Sequence, residues 1–364
     1  MVTLNKIIDK MYSVAYQTVD SVSGLFDNRS IEVLVEEELE KHMRKGTKTV
    51  LFIGTKYDYG RRHSGLAYEH YNYYCSLVDS EKYSVIYFDY DRLKQKYGKK
   101  RMSQMLREAA YRYNPEFLFY FHFLDWVNHD VWRELSKESP TKTIVWVSDD
   151  NVRYEESRKV WEMFDLVVTP DLVGYRKRKE EGFDNTMLGQ WGCNHYLYRK
   201  LGLPKKYDVT FIGQCYGGRK EFVEKIKSSG IDITAFGRGW ENGRVSQSDL
   251  IKIINQSRIC LDIIFTSKNE SIFMIKGRAF EVPGCGSVLL TKDTKEIAEY
   301  FIPGKEILTY SDENDAIDKI RQYLKNEKQL EEIAERGQKR VIKEHTIDKR
   351  FADMFDAAEK VKKS

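Results

Sequence analysis

The stretch Lys276-Gly277-Arg278-Ala279-Phe280-Glu281-Val282-Pro283-Gly284-Cys285-Gly286-Ser287-Val288-Leu289-Leu290-Thr291 places an arginine and a glutamate three residues apart, just ahead of a glycine-broken apolar run. Residues at that spacing project from one side of a helix. Arg278 and Glu281 therefore act together if the segment from about 270 to 281 is helical, with Pro283 and Gly284 ending it. Arg278 presents a forked donor suited to phosphate oxygens. Glu281 presents two acceptors suited to the paired hydroxyls of a ribose, and Gly286 permits close approach of backbone to a ligand. The same residues also read as a surface ion pair beside a buried strand.

Outward from this run, apolar strand-like segments alternate with helical ones from Thr47 onward, the signature of parallel sheets with crossover helices. One block carries strand signals near 49–53, 84–88, 117–121, 143–147 and 166–169, with helices near 66–77 and 102–113. A second carries them near 208–212, 232–236, 259–263, 287–290 and 307–310. Leu201-Gly202-Leu203-Pro204-Lys205-Lys206 reads as the linker between them. The expected organisation is a helical N-terminal extension over 1–46, a first α/β domain over 47–203, a second over 204–345, and a last helix over 346–364 that returns to the first domain. The apolar stripe of that helix is Ile347, Phe351, Met354, Phe355 and Ala358.

Ligands of open α/β sheets gather at the carboxyl ends of strands. Gly213-Gln214-Cys215-Tyr216-Gly217-Gly218-Arg219-Lys220 follows a strand and leads into a helix, so its amides suit a diphosphate, helped by Arg219; a purely structural turn is the alternative. It has neither the Lys-Ser/Thr of a P-loop nor Gly-x-Gly-x-x-Gly, which argues against ATPase and dehydrogenase chemistry. In the first block the loop from Thr55 to Gly65 is long, aromatic and basic, a composition that binds sugars or phosphates or simply faces solvent. His122 and the Asp149-Asp150 pair also sit at strand ends. No His/Cys cluster points to zinc.

The opening run resembles the R-x-FE-x-x-x-CG-x-x-LLT segment of the group 1 glycosyltransferases of the spore-maturation type. These are α/β proteins of GT-B fold, two Rossmann-like domains facing across a cleft. Ile302-Pro303-Gly304-Lys305-Glu306-Ile307-Leu308-Thr309-Tyr310 is similar to the family's F-x-PGKEI-x-x-Y, and Arg336 to Thr346 to its GR-x-RV-x-x-EHT. Tyr207 to Gly213 extends the resemblance upstream, and together the matches cover about 145 to 355. The resemblance implies transfer of a sugar from a nucleoside diphosphate sugar, UDP-sugar ahead of GDP-sugar, to a hydroxyl-bearing acceptor. It implies retention of configuration, no required cofactor and no metal. In this reading Arg219 and Arg278 stabilise the departing diphosphate, and Gly213, Gly217 and Gly218 cradle it. Gly237 and Trp240, in a segment similar to the family's G-x-G-W, lie near the base, where Trp240 either packs or stacks. Glu281 lies at the ribose, and Gly286 lets backbone come close to the ligand.

Many retaining relatives carry two glutamates separated by seven residues. If Glu281 is the second, Phe273 holds the first position, and Asn269, Glu270 or Lys276 would have to substitute. His122 falls where related enzymes put a histidine against the donor sugar; a satisfied core histidine is the alternative. Asp149 and Asp150, similar to the family's W-x-x-DD, read as base, acceptor-hydroxyl ligand or helix cap.

The remaining features bound this reading. The 364 residues suit two domains, and 41% apolar with 13% aromatic residues suffices for two cores. Sixty basic against 56 acidic residues leave a net charge of +4, a mixed surface that gives little support to nucleic acid as a partner. Five cysteines without Cys-x-x-Cys spacing, and no long apolar run, favour a reducing cytoplasm and no transmembrane segment. Within the first 45 residues an apolar stripe from Leu4 to Leu25 and a charged helix over 31–43 suit packing on the body or on another subunit. Two rival functions share the fold: a phage-type DNA-base glycosyltransferase, and a non-catalytic surface-coat or scaffold protein.

Overall fold

The computed structural model describes residues 27–123, 125–264 and 274–361. By its contacts the chain divides into two compact units, Met1–Gly189 with Phe351–Ser364, and Gln190–Arg350.

The first unit is built on the strands β1 (Glu40–His42), β2 (Thr49–Gly54), β3 (Ser84–Asp89), β4 (Phe117–His122), β5 (Lys142–Val147), β6 (Leu166–Thr169) and β7 (Thr186–Leu188). They form one sheet in the order β1-β3-β2-β4-β5-β6-β7, parallel except for β1 against β3. The runs SVIYFD and FLFYFH are buried at every position, as central parallel strands covered on both faces require. Chain order reverses between β2 and β4, so the loops after those two strands border the crevice at the carboxyl edge.

One face of this sheet is covered by Tyr73, whose ring lies 5.2 Å from that of Trp146 on β5, and by the closing helix Ile347–Lys360. Phe355 stacks on Phe117 at 4.1 Å between centroids, and Phe351 meets Phe119 edge-on at 5.1 Å. Phe351, Met354, Phe355 and Ala358 are all buried, and all belong to the first unit.

The second unit holds β8 (Tyr207–Ile212), β9 (Ile233–Phe236), β10 (Ser257–Leu261), β11 (Val288–Lys292) and β12 (Leu308–Tyr310). They form an all-parallel sheet in the order β12-β11-β10-β8-β9. Here the order reverses between β8 and β10, and the loops after these strands border the second crevice.

Three expectations change. The charged helix expected over 31–43 stops at Glu38, because Leu39 is extended and Glu40–His42 pair with the edge of β3; the expected helix over 4–25 lies outside the described residues. Leu201–Lys206 is not where the units divide. The division falls at Gly189/Gln190, since Cys193 already pairs with Thr346, the Leu201 amide donates to Asn255 Oδ1 at 2.7 Å, and Lys206 is tied to Gln256. The helix of the opening run is Arg278–Gly284, with Pro283 inside its last turn rather than after it; residues 265–273 lie outside the described residues.

Candidate active site

At the carboxyl edge of the second sheet, Gly213 leaves β8 and its carbonyl accepts from Trp240 Nε1 at 2.9 Å. The ring of Trp240 meets Phe211 edge-on at 5.7 Å, so this tryptophan packs and braces the glycine loop. Gly237 must be glycine: its φ is 132°, and a Cβ there would stand 2.1 Å from the Gly213 carbonyl oxygen. Gly217 has φ 59°, and Gly218 precedes the helix Arg219–Ser228 with no side chain capping that end. The first amides of this helix thus point from the turn without an intrahelical partner.

Arg219 bridges the crevice. Its Nε and Nη2 donate to the Ile263 carbonyl beyond β10 at 3.1 and 2.9 Å, and Nη1 to the Gln214 carbonyl at 3.0 Å. Its guanidinium lies 4.1 Å from the Tyr216 ring centroid. Three of its five N–H groups are occupied by backbone, which fixes the plane of the fork. Arg278 opens its helix at the same edge, and its Nη1 donates to Glu281 Oε2 at 2.6 Å. Glu281 is only 1% exposed, so this is not the surface ion pair of the alternative reading. Lys276, exposed two residues earlier, holds its ammonium 5.8 Å from the Trp191 ring centroid.

Between these groups lies Asp262, which the motif reading missed. It follows β10 directly, its Oδ2 accepts from Thr291 Oγ1 at 3.1 Å, and its carbonyl accepts from Tyr310 Oη at 3.0 Å. Burial raises its carboxyl pKa, while the Thr291 hydroxyl and the charges of Arg219 and Arg278 pull it down. The available signal was an aspartate at the end of an apolar strand that turns out to flank the reversal point.

Gly286 does not join this group. It sits in the turn before β11, at the amino end of a parallel sheet, whereas Gly213 and Gly237 lie at the carboxyl ends of β8 and β9. Its φ of 69° serves that turn, and it borders a cavity of about 460 Å³ with Lys200, Lys205, Arg258 and Ser287. Asn269, Glu270 and Phe273 lie outside the described residues.

In the first unit, His122 ends β4 and is buried, with Nδ1 3.1 Å from Tyr120 Oη. Burial, and then the positive charge of Arg153, push its pKa down to about 4, so it is neutral near pH 7. Asp149 precedes the helix Asp150–Trp161, half-buried and without a side-chain cap contact. The adjacent register of β4 and β5, with His122 opposite Val147, puts His122 and Asp149 on neighbouring strand ends. Asp150 departs from its expected role. Arg178 grips it through both carboxylate oxygens, one at 2.7 Å, with both side chains 0% exposed, so its lone pairs are turned into the core.

The loop after β2 is tied by a bridge between Tyr57 and Leu66, and Gly60 lies directly over Asp91. Tyr59, exposed and at φ 53°, meets Phe123 edge-on at 5.5 Å. Below it Glu69, within the π-helical turn Glu69–Tyr74, accepts from the Thr55 hydroxyl. Burial, reinforced by Asp58, raises its carboxyl pKa to about 7. Nothing in the local sequence distinguishes Glu69 from a glutamate on a solvated helix face. Among the described residues no group of three or more His, Cys, Asp or Glu is placed to share a metal ion, and no helix is long and apolar enough to cross a membrane.

Residues 219–356 match a family model described as "Glycosyl transferase-like", a span that includes Arg219, Arg278 and Glu281. The chain carries a glycosyl transferase-like domain over those residues and has the GT-B fold. It is 21% identical over 255 residues to the spore protein CgeB of Bacillus subtilis, covering 62% of this chain and 77% of that one. Among solved structures, sucrose-phosphate synthase from Thermosynechococcus elongatus superposes with a TM-score of 0.59 at 12% identity over 86% of this chain and 98% of its own. A glycosyltransferase from Rickettsia africae gives 0.59 at 11% over 87% and 100%. HepE of Anabaena, solved with UDP-glucose, gives 0.56 at 11% over 86% and 99%. At such identities the structures attest the fold alone.

Proposed function

We propose that this glycosyltransferase moves a hexose from a nucleoside diphosphate sugar, a UDP-sugar ahead of a GDP-sugar, to a hydroxyl-bearing acceptor, with retention and without a metal ion. The observation that carries this reading is the convergence of Arg219 and Arg278 at the reversal point of the second sheet. There the amides of Gly213, Gly217 and Gly218 and the first turn of the following helix cradle a diphosphate. The two arginines stabilise the charge that grows as it departs, and removing one such donor typically costs about 3 kcal/mol of barrier, roughly a hundredfold in rate. Glu281, oriented by Arg278, accepts from the ribose hydroxyls, and the backbone around Gly237 borders the base. A UDP-sugar is favoured because HepE, of the same fold, was solved with UDP-glucose. In the first unit the acceptor hydroxyl is assigned to Asp149, at the strand end next to that of neutral His122. The reading places the enzyme in the cytoplasm, with the N-terminal extension available for self-association.

Titration calorimetry of the full chain with UDP-glucose, UDP-N-acetylglucosamine and GDP-mannose tests the proposal. Binding of at least one is expected, and Glu281→Ala should weaken it about 10- to 100-fold, the worth of a hydrogen bond to a charged group. No affinity for any of the three would refute the donor chemistry; unchanged affinity in the variant would remove Glu281 from the site.

A further inference from the structure

The cations at the second crevice are already matched by carboxylates. Among the described residues, Arg219 and Arg278 face Asp262 and Glu281, two positive charges against two negative. The diphosphate of a nucleotide sugar carries about two negative charges across the neutral pH range, because both its phosphates are esterified or bridged. Bringing it between the arginines places it beside two carboxylates, one of which must yield or be repelled.

The two carboxylates are not equivalent. Glu281 has a guanidinium on its Oε2 at 2.6 Å. Among the described residues the Asp262 carboxylate meets only the neutral hydroxyl of Thr291, at 3.1 Å, and no cation comes within ion-pair distance of it. Among the described residues, the groups facing Asp262 come from every neighbouring element. They are Arg219 on the helix after β8, Arg278 and Glu281 on the helix before β11, Thr291 on β11, and the Tyr310 phenol on β12, which burial keeps neutral. Asp262 is also adjacent to Ile263, whose carbonyl holds Arg219, so charge at Asp262 is felt where the diphosphate would lie.

We propose that Asp262 is a working part of the donor site: it takes a proton from solvent when the diphosphate settles between Arg219 and Arg278, and returns it when the diphosphate leaves. No bond other than that O–H is made or broken. Burial lifts the Asp262 carboxyl before any ligand arrives, and a nearby anion lifts it further. The sign follows from linkage. With the carboxyl pKa higher in the complex than in the free enzyme, affinity is greatest below the free-enzyme value and declines as pH rises towards the value in the complex. This rests on the donor reading above and adds a proton to it.

The test is titration calorimetry of the full chain with UDP-glucose, whose diphosphate does not titrate near neutrality, in phosphate, Hepes and Tris buffers of differing ionisation enthalpy. Above the free-enzyme pKa of Asp262, uptake of up to one proton and weakening of up to about tenfold per pH unit are expected across the pH range in which the protein stays folded. Asp262→Asn should abolish the uptake and bind UDP-glucose at pH 8 at least as tightly as wild type. Thr291→Val, which removes the hydroxyl favouring the charged form, should move the dependence to higher pH. Binding with the same enthalpy in all three buffers, or uptake that persists in Asp262→Asn, overturns the inference and leaves the donor reading standing. No binding of UDP-glucose, UDP-N-acetylglucosamine or GDP-mannose by wild type in any buffer overturns the inference with its premise.

Discussion

Replacing Asp150 separates a structural carboxylate from a chemical one. In the folded protein Arg178 is 0% exposed and lies against the rings of Trp161 and Tyr154, 4.4 and 5.0 Å from their centroids, with Asp150 as its bidentate partner. Asp150→Ala leaves that guanidinium buried beside aromatic faces that replace little of a carboxylate. Stranding one member of a buried pair costs roughly 3–5 kcal/mol, a large part of the 5–15 kcal/mol that typically holds a domain together. For a unit of this size each kcal/mol moves the melting midpoint by about 2–4 °C, so a fall of roughly 6–20 °C is expected. Scanning calorimetry of the full chain reads it directly. The repair is as informative: Asp150→Leu with Arg178→Met substitutes apolar bulk for both charges and should recover most of the loss. A fall worth less than about 1 kcal/mol in Asp150→Ala would refute the reasoning.

The chemical arm uses Asp150→Asn well below its melting midpoint. Hydrolysis of the nucleotide sugar per folded molecule should stay within about threefold of wild type, whereas loss of a general base costs about 10²–10⁴. A loss of the latter size would restore Asp150 to the chemistry.

Glu69 should make stability depend on pH. Its carboxyl is held near 7 in the fold against an ordinary value of 4.5, so between those limits the folded state keeps a proton that the unfolded chain releases. Its contribution is complete below 4.5 and lost as pH rises through 7; Glu69→Gln should therefore gain roughly 1–3 kcal/mol over wild type by urea unfolding at pH 8 and nothing at pH 4, and equal offsets at both would count against it. Gly237→Ala forces a Cβ onto the Gly213 carbonyl and should cost about 1–3 kcal/mol together with nucleotide-sugar binding; wild-type affinity in that variant would show that the loop is not part of the site. Because arginines and helix amides are assigned to the diphosphate, turnover should survive EDTA, and complete loss restored by manganese or magnesium would defeat that assignment.

The strands were legible because buried parallel strands read as unbroken apolar runs. FLFYFH and SVIYFD could hardly be anything else, and Phe351 and Phe355 likewise announced a stripe in need of cover. β1 and β7 were missed for the converse reason: each is three residues long and partly exposed, and takes its strand geometry from a neighbour rather than from its own residues. Asp150 was misjudged because its partner lies 28 residues away on another helix, and no local pattern reveals that Arg178 will be buried on top of it. Gly286 was misplaced because its glycine serves a turn at the opposite edge of the sheet, and a sequence run does not say which edge its ends reach.

What the linear reading lacked was strand order, and strand order is what makes this site. β8 is followed in the chain by β9, yet in the sheet it lies between β9 and β10. A pairing of β8 with β9 alone would leave the glycine turn facing only the Gly237 loop. Because β10 takes the other side, the residues that follow it, Asp262 and Ile263, come up against the helix that begins at Arg219, and the next helix begins at Arg278 on the same edge. The arginine of the glycine turn and the arginine of the opening run are separated by 59 positions in the chain, and either alone would be a surface cation. The reversal between β8 and β10 brings them to one crevice with the half-buried carboxylate of Asp262 beside them. The chemistry of this site is therefore set by which loops the sheet makes neighbours as much as by the residues those loops carry.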